Sequence, residues 1–175
     1  DALFLQANVQ MGERVLIHAI GSGVGNAGLQ LCKAIGATVI GTSRTQEKIL
    51  RAMEIGLDEG IWVRDGLFAQ KLIKPVDKII DFIGAAYWNE NIRALQKGGE
   101  MVVVGLLGGR KIEVNLGALL QKRLQIRGTV LRSRPLEEKI QLAQRFKKHI
   151  LPLFVQGKLQ STVDVIFSLE EVAKA

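Results

Sequence analysis

The residues best able to do chemistry lie in one short segment, His18-Ala19-Ile20-Gly21-Ser22-Gly23-Val24-Gly25. An apolar run leads into it and a helical pattern leaves it. A turn with no Cβ atoms lets backbone approach a pyrophosphate, and a helix N-terminus offers the anion unpaired N–H groups and a positive dipole end. A literal GxGxxG starting at Gly21 fails, because its sixth position is Asn26. The spacing Gly21-x-Gly23-x-Gly25 also suits an S-adenosylmethionine-dependent methyltransferase, and a tight structural turn needs no ligand at all.

The end of the second strand separates these readings. Both an NAD enzyme and a methyltransferase usually want a carboxylate there to hold ribose hydroxyls. Here the strand ends Gly41-Thr42-Ser43-Arg44, and no acid follows until Glu47, inside the next helix. Ser43 and Arg44, with Lys48 one helical turn further, suit a 2′-phosphate, so NADPH is expected rather than NADH. The plainer reading of Arg44 and Lys48 is a solvated helix face. Other polar residues point to structure. His18 on an apolar strand is expected to be a buried structural histidine, and Cys32 falls on an apolar helix face. His149 sits near a helix end, where it favours the dipole. Asp77 and Asp81 flank a strand, and Tyr87-Trp88 is expected to pack or to meet another domain. No His, Cys and carboxylate cluster has metal-ligand spacing. No metal site and no catalytic residue are assigned.

Elements of the right kind surround the turn. Residues 14–20 are short, apolar and β-branched, as in a buried strand. Val24, Ala27, Gly28, Leu31, Cys32 and Ile35 recur at helical spacing up to Gly36. A second strand is expected over residues 38–42, and Thr45 N-caps a helix ending at Gly56. Strands follow at 59–63 and 78–83, a helix at 87–96, a break at Gly98-Gly99, and a strand at 101–104. A short helix at 116–121, a strand at 124–130 and a long helix from Pro135 to 150 complete the series. The tail is expected to be extended over 162–167, with a helix starting at Leu169. This alternation predicts an α/β doubly wound parallel sheet, a Rossmann fold of about six strands in the order 3-2-1-4-5-6. One dinucleotide-binding domain is expected to fill residues 1–175.

The bulk numbers agree. A chain of 175 residues that is 47% apolar can bury one real core. No apolar run approaches the roughly 20 residues that span a bilayer, so no membrane partner is expected. The opening Asp1-Ala2-Leu3-Phe4 has no basic leader and no initiator Met, as expected of an excerpt. The lone Cys32 suits a reducing, cytoplasmic setting. The net charge is +7, and the excess lies between Arg93 and Lys174. No aromatic residues alternate with those charges. A solvated face that attracts a polyanionic cofactor is therefore expected, and nucleic acid is not.

Taken together, the motifs resemble a known family. Ala19-x-x-Ser22-x-x-Gly25 is similar to the AxxGxxG turn of the zeta-crystallin-like quinone oxidoreductases, in the medium-chain dehydrogenase/reductase superfamily. The resemblance runs on through Gly12-Glu13-Arg14-Val15-Leu16-Ile17-His18, Gly36-Ala37, Asp81-Phe82-Ile83-Gly84 and Gly98-Gly99. It extends to Val102-Val103-Val104-Gly105, Arg127-Gly128-Thr129 and Leu131-Arg132-x-Arg134. It implies zinc-independent hydride transfer from NADPH to a quinone or enone-like substrate. It implies that Ser22, Gly23 and Val24 hold the pyrophosphate, and that Lys48 reads the 2′-phosphate with Ser43 and Arg44 beside it. Trp62 falls where the family commonly places Tyr beside the cofactor, and Gly105 and Leu106 flank the nicotinamide. The resemblance also implies a GroES-like catalytic domain and C-terminal strands that this chain lacks, so the chain alone is expected to be inactive. A homodimer through the last strand is expected, because relatives pair their cofactor domains edge to edge. The alternative from another class is a noncatalytic NADPH-binding module, a sensor or RNA-binding protein that uses the basic half.

Overall fold

The computed structural model describes residues 1–163 and 165–174. Six parallel strands form one sheet: β1 (Arg14–Ile17), β2 (Thr38–Ser43), β3 (Glu59–Trp62), β4 (Val76–Asp81), β5 (Leu95–Val103) and β6 (Gln125–Gly128). Their order is β3-β2-β1-β4-β5-β6, the doubly wound order expected. The register runs through the centre: Leu16 pairs with Ile40 on one side and Ile79 on the other. Helices α1 (Gly23–Ala34), α2 (Gln46–Glu54), α3 (Trp88–Ala94) and α4 (Leu116–Lys122) alternate with the strands, and α5 (Leu136–His149) and α6 (Leu151–Val155) follow β6.

Side chains alternate across each strand, so the sheet builds two cores. Val15, Ile17, Val39 and Ile80 meet Leu29 and Cys32 of α1 and Ile49 of α2. Leu16, Ile40, Ile79 and Met101 meet Phe68, Ala94 and Leu95 on the opposite face. Each of the Val, Leu, Ile, Met and Phe side chains among them contributes about 1.5–3 kcal/mol when fully buried. Beyond β6 the burial thins. No residue of α5 or α6 is buried. Leu159 is buried, and the next residue is tied to α1 by Gln160 N–H donating to Gln30 Oε1 at 2.7 Å and Gln30 Nε2 donating back at 3.0 Å.

Several boundaries differ from expectation, each for a local reason. β1 stops at Ile17, because Ala19 takes φ +50° and turns the chain. α3 ends at Ala94, because Leu95 already pairs with Val76. Gly98-Gly99 does not break the chain between elements. Both lie within β5, which shifts register between the pairs made by Val76 and Lys78. Thr45 occupies the N-cap position of α2 without a capping bond, and Ser43 Oγ accepts from Thr45 N–H at 3.1 Å instead. The tail joins no strand at residues 162–163 and 165–167, and Asp164 of that stretch lies outside the described residues.

Candidate nucleotide groove

β1 has β2 on one side and β4 on the other, so chain direction reverses beside it and a crevice opens at the strands' C-terminal ends. A groove of about 590 Å³ lies there. Five strand ends contribute to it: Ser22 after β1, Thr42 to Thr45 at β2, Arg64 after β3, Ile83 and Tyr87 after β4, and Leu107 and Gly108 after β5.

The first turn is built for close approach. Ile20 N–H donates to Thr42 O at 3.0 Å, and Ser22 N–H to Ala19 O at 2.9 Å. Ser22 then N-caps α1, its Oγ accepting from Gly25 N–H at 3.0 Å. Gly25 is required by packing: a Cβ there would lie 2.5 Å from Ala19 O. Gly23 is not, since a Cβ there meets nothing within 4 Å. With Gly25 N–H capped, the N–H groups of Gly23 and Val24 remain without a partner among the described residues, at the positive end of α1. Two convergent free amides beside a glycine that packing does not demand fit an anionic ligand.

At the end of β2, Ser43 is buried and Arg44 and Lys48 are exposed. Gly21 lets Lys48 lie across the turn: a Cβ on Gly21 would sit 2.5 Å from Lys48 Cβ. The nearby acid Glu47 is taken by Arg51 at 2.7 Å. Among the described residues, no carboxylate lines the groove.

Behind the lining, reaching the groove through Thr42, runs a buried polar chain. Asp81, ending β4, accepts from Ile83 N–H at 2.7 Å and Gly84 N–H at 3.1 Å. Asn91 Nδ2 donates to Asp81 Oδ2 at 3.2 Å, which leaves Asn91 Oδ1 to accept from His18 Nε2–H at 2.7 Å. His18 Nδ1 is therefore an acceptor, and Thr42 Oγ1 donates to it at 2.8 Å. Burial pushes the imidazole below its ordinary value, against the opposing pull of Asp81 and Asn91. Phe68 and Tyr87 close over His18, each with ring centroids 5.0 Å from it. Burial likewise raises the Tyr87 phenol.

Of the residues singled out from sequence, Ser22, Ser43, Arg44 and Lys48 line the groove together. Gly23 and Val24 lie exposed at the start of α1, outside the lining. Trp62 is also outside it; Val63 and Arg64 line the groove at that strand end. Gly105 is tied behind the lining by its N–H to Asp81 O at 3.2 Å, and Leu106 is exposed. Their neighbours Leu107 and Gly108 reach the groove. Sequence reasoning missed Arg64. The available signal was an Arg two residues past the end of β3, much as Arg44 directly follows β2, since the C-terminal ends of neighbouring parallel strands lie side by side at the crevice.

Among the described residues, no group of three or more His, Cys, Asp or Glu side chains is placed to hold a metal ion. Burial raises the Cys32 thiol to about 12, and His18 is fully engaged. No helix among the described residues is long and apolar enough to cross a membrane.

The family model described as zinc-binding dehydrogenase matches residues 23–148. Quinone oxidoreductase from Sus scrofa is 31% identical over 99% of this chain and 53% of its own length. Acryloyl-coenzyme A reductase from Metallosphaera sedula is 27% identical over 97% of the chain and 48% of its own. The structure of Escherichia coli quinone oxidoreductase complexed with NADPH superposes with a TM-score of 0.79, at 29% identity, over 93% of this chain and 52% of that one. The chain spans about half the length of the curated relatives it matches.

Proposed function

This chain belongs to the zinc-binding dehydrogenase family, in the medium-chain dehydrogenase/reductase group with the quinone oxidoreductases, and on that premise we propose that it is the NADPH-binding half of an oxidoreductase that passes hydride to a quinone or similar electrophilic carbonyl. The observation that carries this reading is the groove itself. It brings the start of α1, through Ser22, together with the cations Arg44, Lys48 and Arg64, and among the described residues it holds no carboxylate where a ribose 2′-hydroxyl would need one.

The nicotinamide supplies the hydride when bound, and the protein supplies orientation. Ser22, Gly23 and Val24 present the α1 N-terminus to the pyrophosphate. Ser43, Arg44 and Lys48 read the 2′-phosphate, with Trp62 supporting that end from behind Val63. Gly105 and Leu106, with the loop that follows them, flank the nicotinamide. Tyr87 and Thr42 line the groove between the two ends, with the fully buried His18 relay behind them. A cytoplasmic setting, consistent with the single thiol, and a homodimer through the β6 edge are parts of the same proposal.

Calorimetric titration tests it. NADPH is expected to bind more tightly than NADH, and equal affinities would sink the cofactor assignment. Lys48→Ala is expected to weaken NADPH selectively, by the roughly 1–3 kcal/mol of a charge-assisted hydrogen bond.

A further inference from the structure

Two residues past β3, Arg64 carries a cation whose setting differs from those of Arg44 and Lys48. The Arg64 guanidinium lies over the Trp62 indole, 3.9 Å from the ring centroid. The same indole donates Nε1–H to Arg44 O at 3.1 Å, and Lys71 Nζ donates to Trp62 O at 3.1 Å. The Trp62 ring is thus fixed at its edge and through its backbone, with one face covered by Arg64. Its neighbour Asp65 makes no ion pair with Arg64 among the described residues; the Asp65 carboxylate accepts from Leu67 N–H at 3.1 Å instead. Arg44, Lys48 and Arg64 all line one groove, and none of them has an ion-pair partner among the described residues. Three uncompensated cations around one opening repel each other, and such an arrangement is stabilised by a multiply charged anion among them. Stacking holds a guanidinium plane while leaving its N–H donors at the rim free for oxygen acceptors.

We propose that Arg64 is a third phosphate-reading cation of the groove, and that Trp62 is its positioning residue, acting on the cofactor through Arg64 rather than by touching it. This rests on the NADPH reading above. The ligand chemistry is a phosphomonoester dianion on ribose, which Arg64 meets from the β3 side while Arg44 and Lys48 meet it from the β2 side. The indole therefore takes a different part from a phenol at this strand end: it aims a charge and donates no hydrogen bond to the ligand.

The test measures NADPH and NADH dissociation constants in the full-length protein carrying Arg64→Gln, Trp62→Phe, Trp62→Leu and the double variant Trp62→Leu/Arg64→Gln. Arg64→Gln is expected to weaken NADPH about tenfold or more while leaving NADH within about twofold, as loss of a charge-assisted contact to phosphate requires. Trp62→Leu is expected to reproduce most of that loss, and the double variant to be no worse than Arg64→Gln alone. Trp62→Phe keeps an aromatic face but loses the bond to Arg44 O, and is expected to retain wild-type selectivity. Arg64 is exposed, so its substitution leaves the core intact even where Trp62→Leu fails to fold. If the wild type does not prefer NADPH, the cofactor reading itself fails. If it does, but Arg64→Gln leaves the preference unchanged or weakens both cofactors equally, the Arg64 assignment is overturned. A loss in Trp62→Phe equal to that in Trp62→Leu assigns the indole to Arg44 and overturns its role toward Arg64.

Discussion

His18 has both ring nitrogens committed inside the protein, to Thr42 and Asn91, and it is fully buried. Its imidazole is held neutral in the fold, whereas in the unfolded chain it titrates near about 6.5. Between those two values only the unfolded state binds the proton. The stability contribution is therefore complete above about pH 6.5 and falls as pH drops through that value. For Glu90, burial pushes the carboxyl up, but the Ala69 and Phe68 N–H groups and Arg93 together outweigh it and leave it below its ordinary value. Its contribution is lost at lower pH, below about 4.3, so the two groups act in separate windows. Urea-unfolding free energy is expected to decline between pH 7.5 and 5.5, with a flatter profile in His18→Gln. A flat wild-type profile would remove the buried neutral histidine from the account. Nitrogen-15 shifts of the His18 ring are expected to show Nδ1 without a proton, and the opposite tautomer would reverse the relay. The burial of His18 was legible from its apolar strand. Its partners were not, because Asn91 lies 73 residues away and only folding brings it near.

At the scale of elements, the β1–turn–α1 unit separates packing from binding in two neighbouring glycines. Gly25→Ala places a Cβ against the carbonyls of Ala19 and Ile20, at 2.5 and 2.7 Å, and backbone there cannot swing aside. α1 must lift from β1, at a cost of about 1–3 kcal/mol, which lowers Tm by about 2–4 °C for each kcal/mol. Gly23→Ala meets open space, so calorimetry is expected to find Tm unchanged or raised. Its NADPH affinity is nevertheless expected to fall, since the added methyl occupies the approach to the free amides. If Gly23→Ala binds NADPH as tightly as the wild type, the cofactor does not pass this turn. The existence of these elements followed from apolar periodicity. Their ends did not, because the turn at Ala19 and the early pairing of Leu95 depend on neighbours distant in sequence.

For the whole molecule, the β6 edge of the sheet is the predicted site of assembly. β6 pairs with β5 alone, and only Ile126 along it is even half-buried. Arg127, which the alternation places as an edge guard, is drawn away by donating to Gln6 O at 2.8 Å. Thr129 N–H donates to Val103 O at 3.0 Å, so by the two-residue period the N–H groups of Ile126 and Gly128 point outward from the sheet. An open row of this kind is a template for a second strand. Ile126 packs on the core, whereas a Cβ on Gly128 meets nothing within 4 Å. Gly128→Pro is therefore the cleaner probe: it removes an outward donor with little packing cost. Light scattering at about tens of micromolar, above the Kd expected of a specific interface, should find a dimer in the wild type and a monomer in this variant. A dimer that survives the substitution, with the fold intact, places the interface elsewhere.

Local pattern determined the alternation of strands and helices, and with it the fold class that carries the strand order, as well as the site of the Gly-rich turn and the absence of an acid after β2, because each is written in residues that neighbour one another along the chain. The tertiary structure decided which side chains meet at the groove. It set Trp62 behind the lining and Arg64 within it, and it drew Thr42, His18, Asn91 and Asp81 into one chain of hydrogen bonds. The physical reason is that periodicity records which face of an element is buried. Which residue at a strand's end turns into the crevice is set by where the strand order reverses and by the φ and ψ angles of the turn that follows.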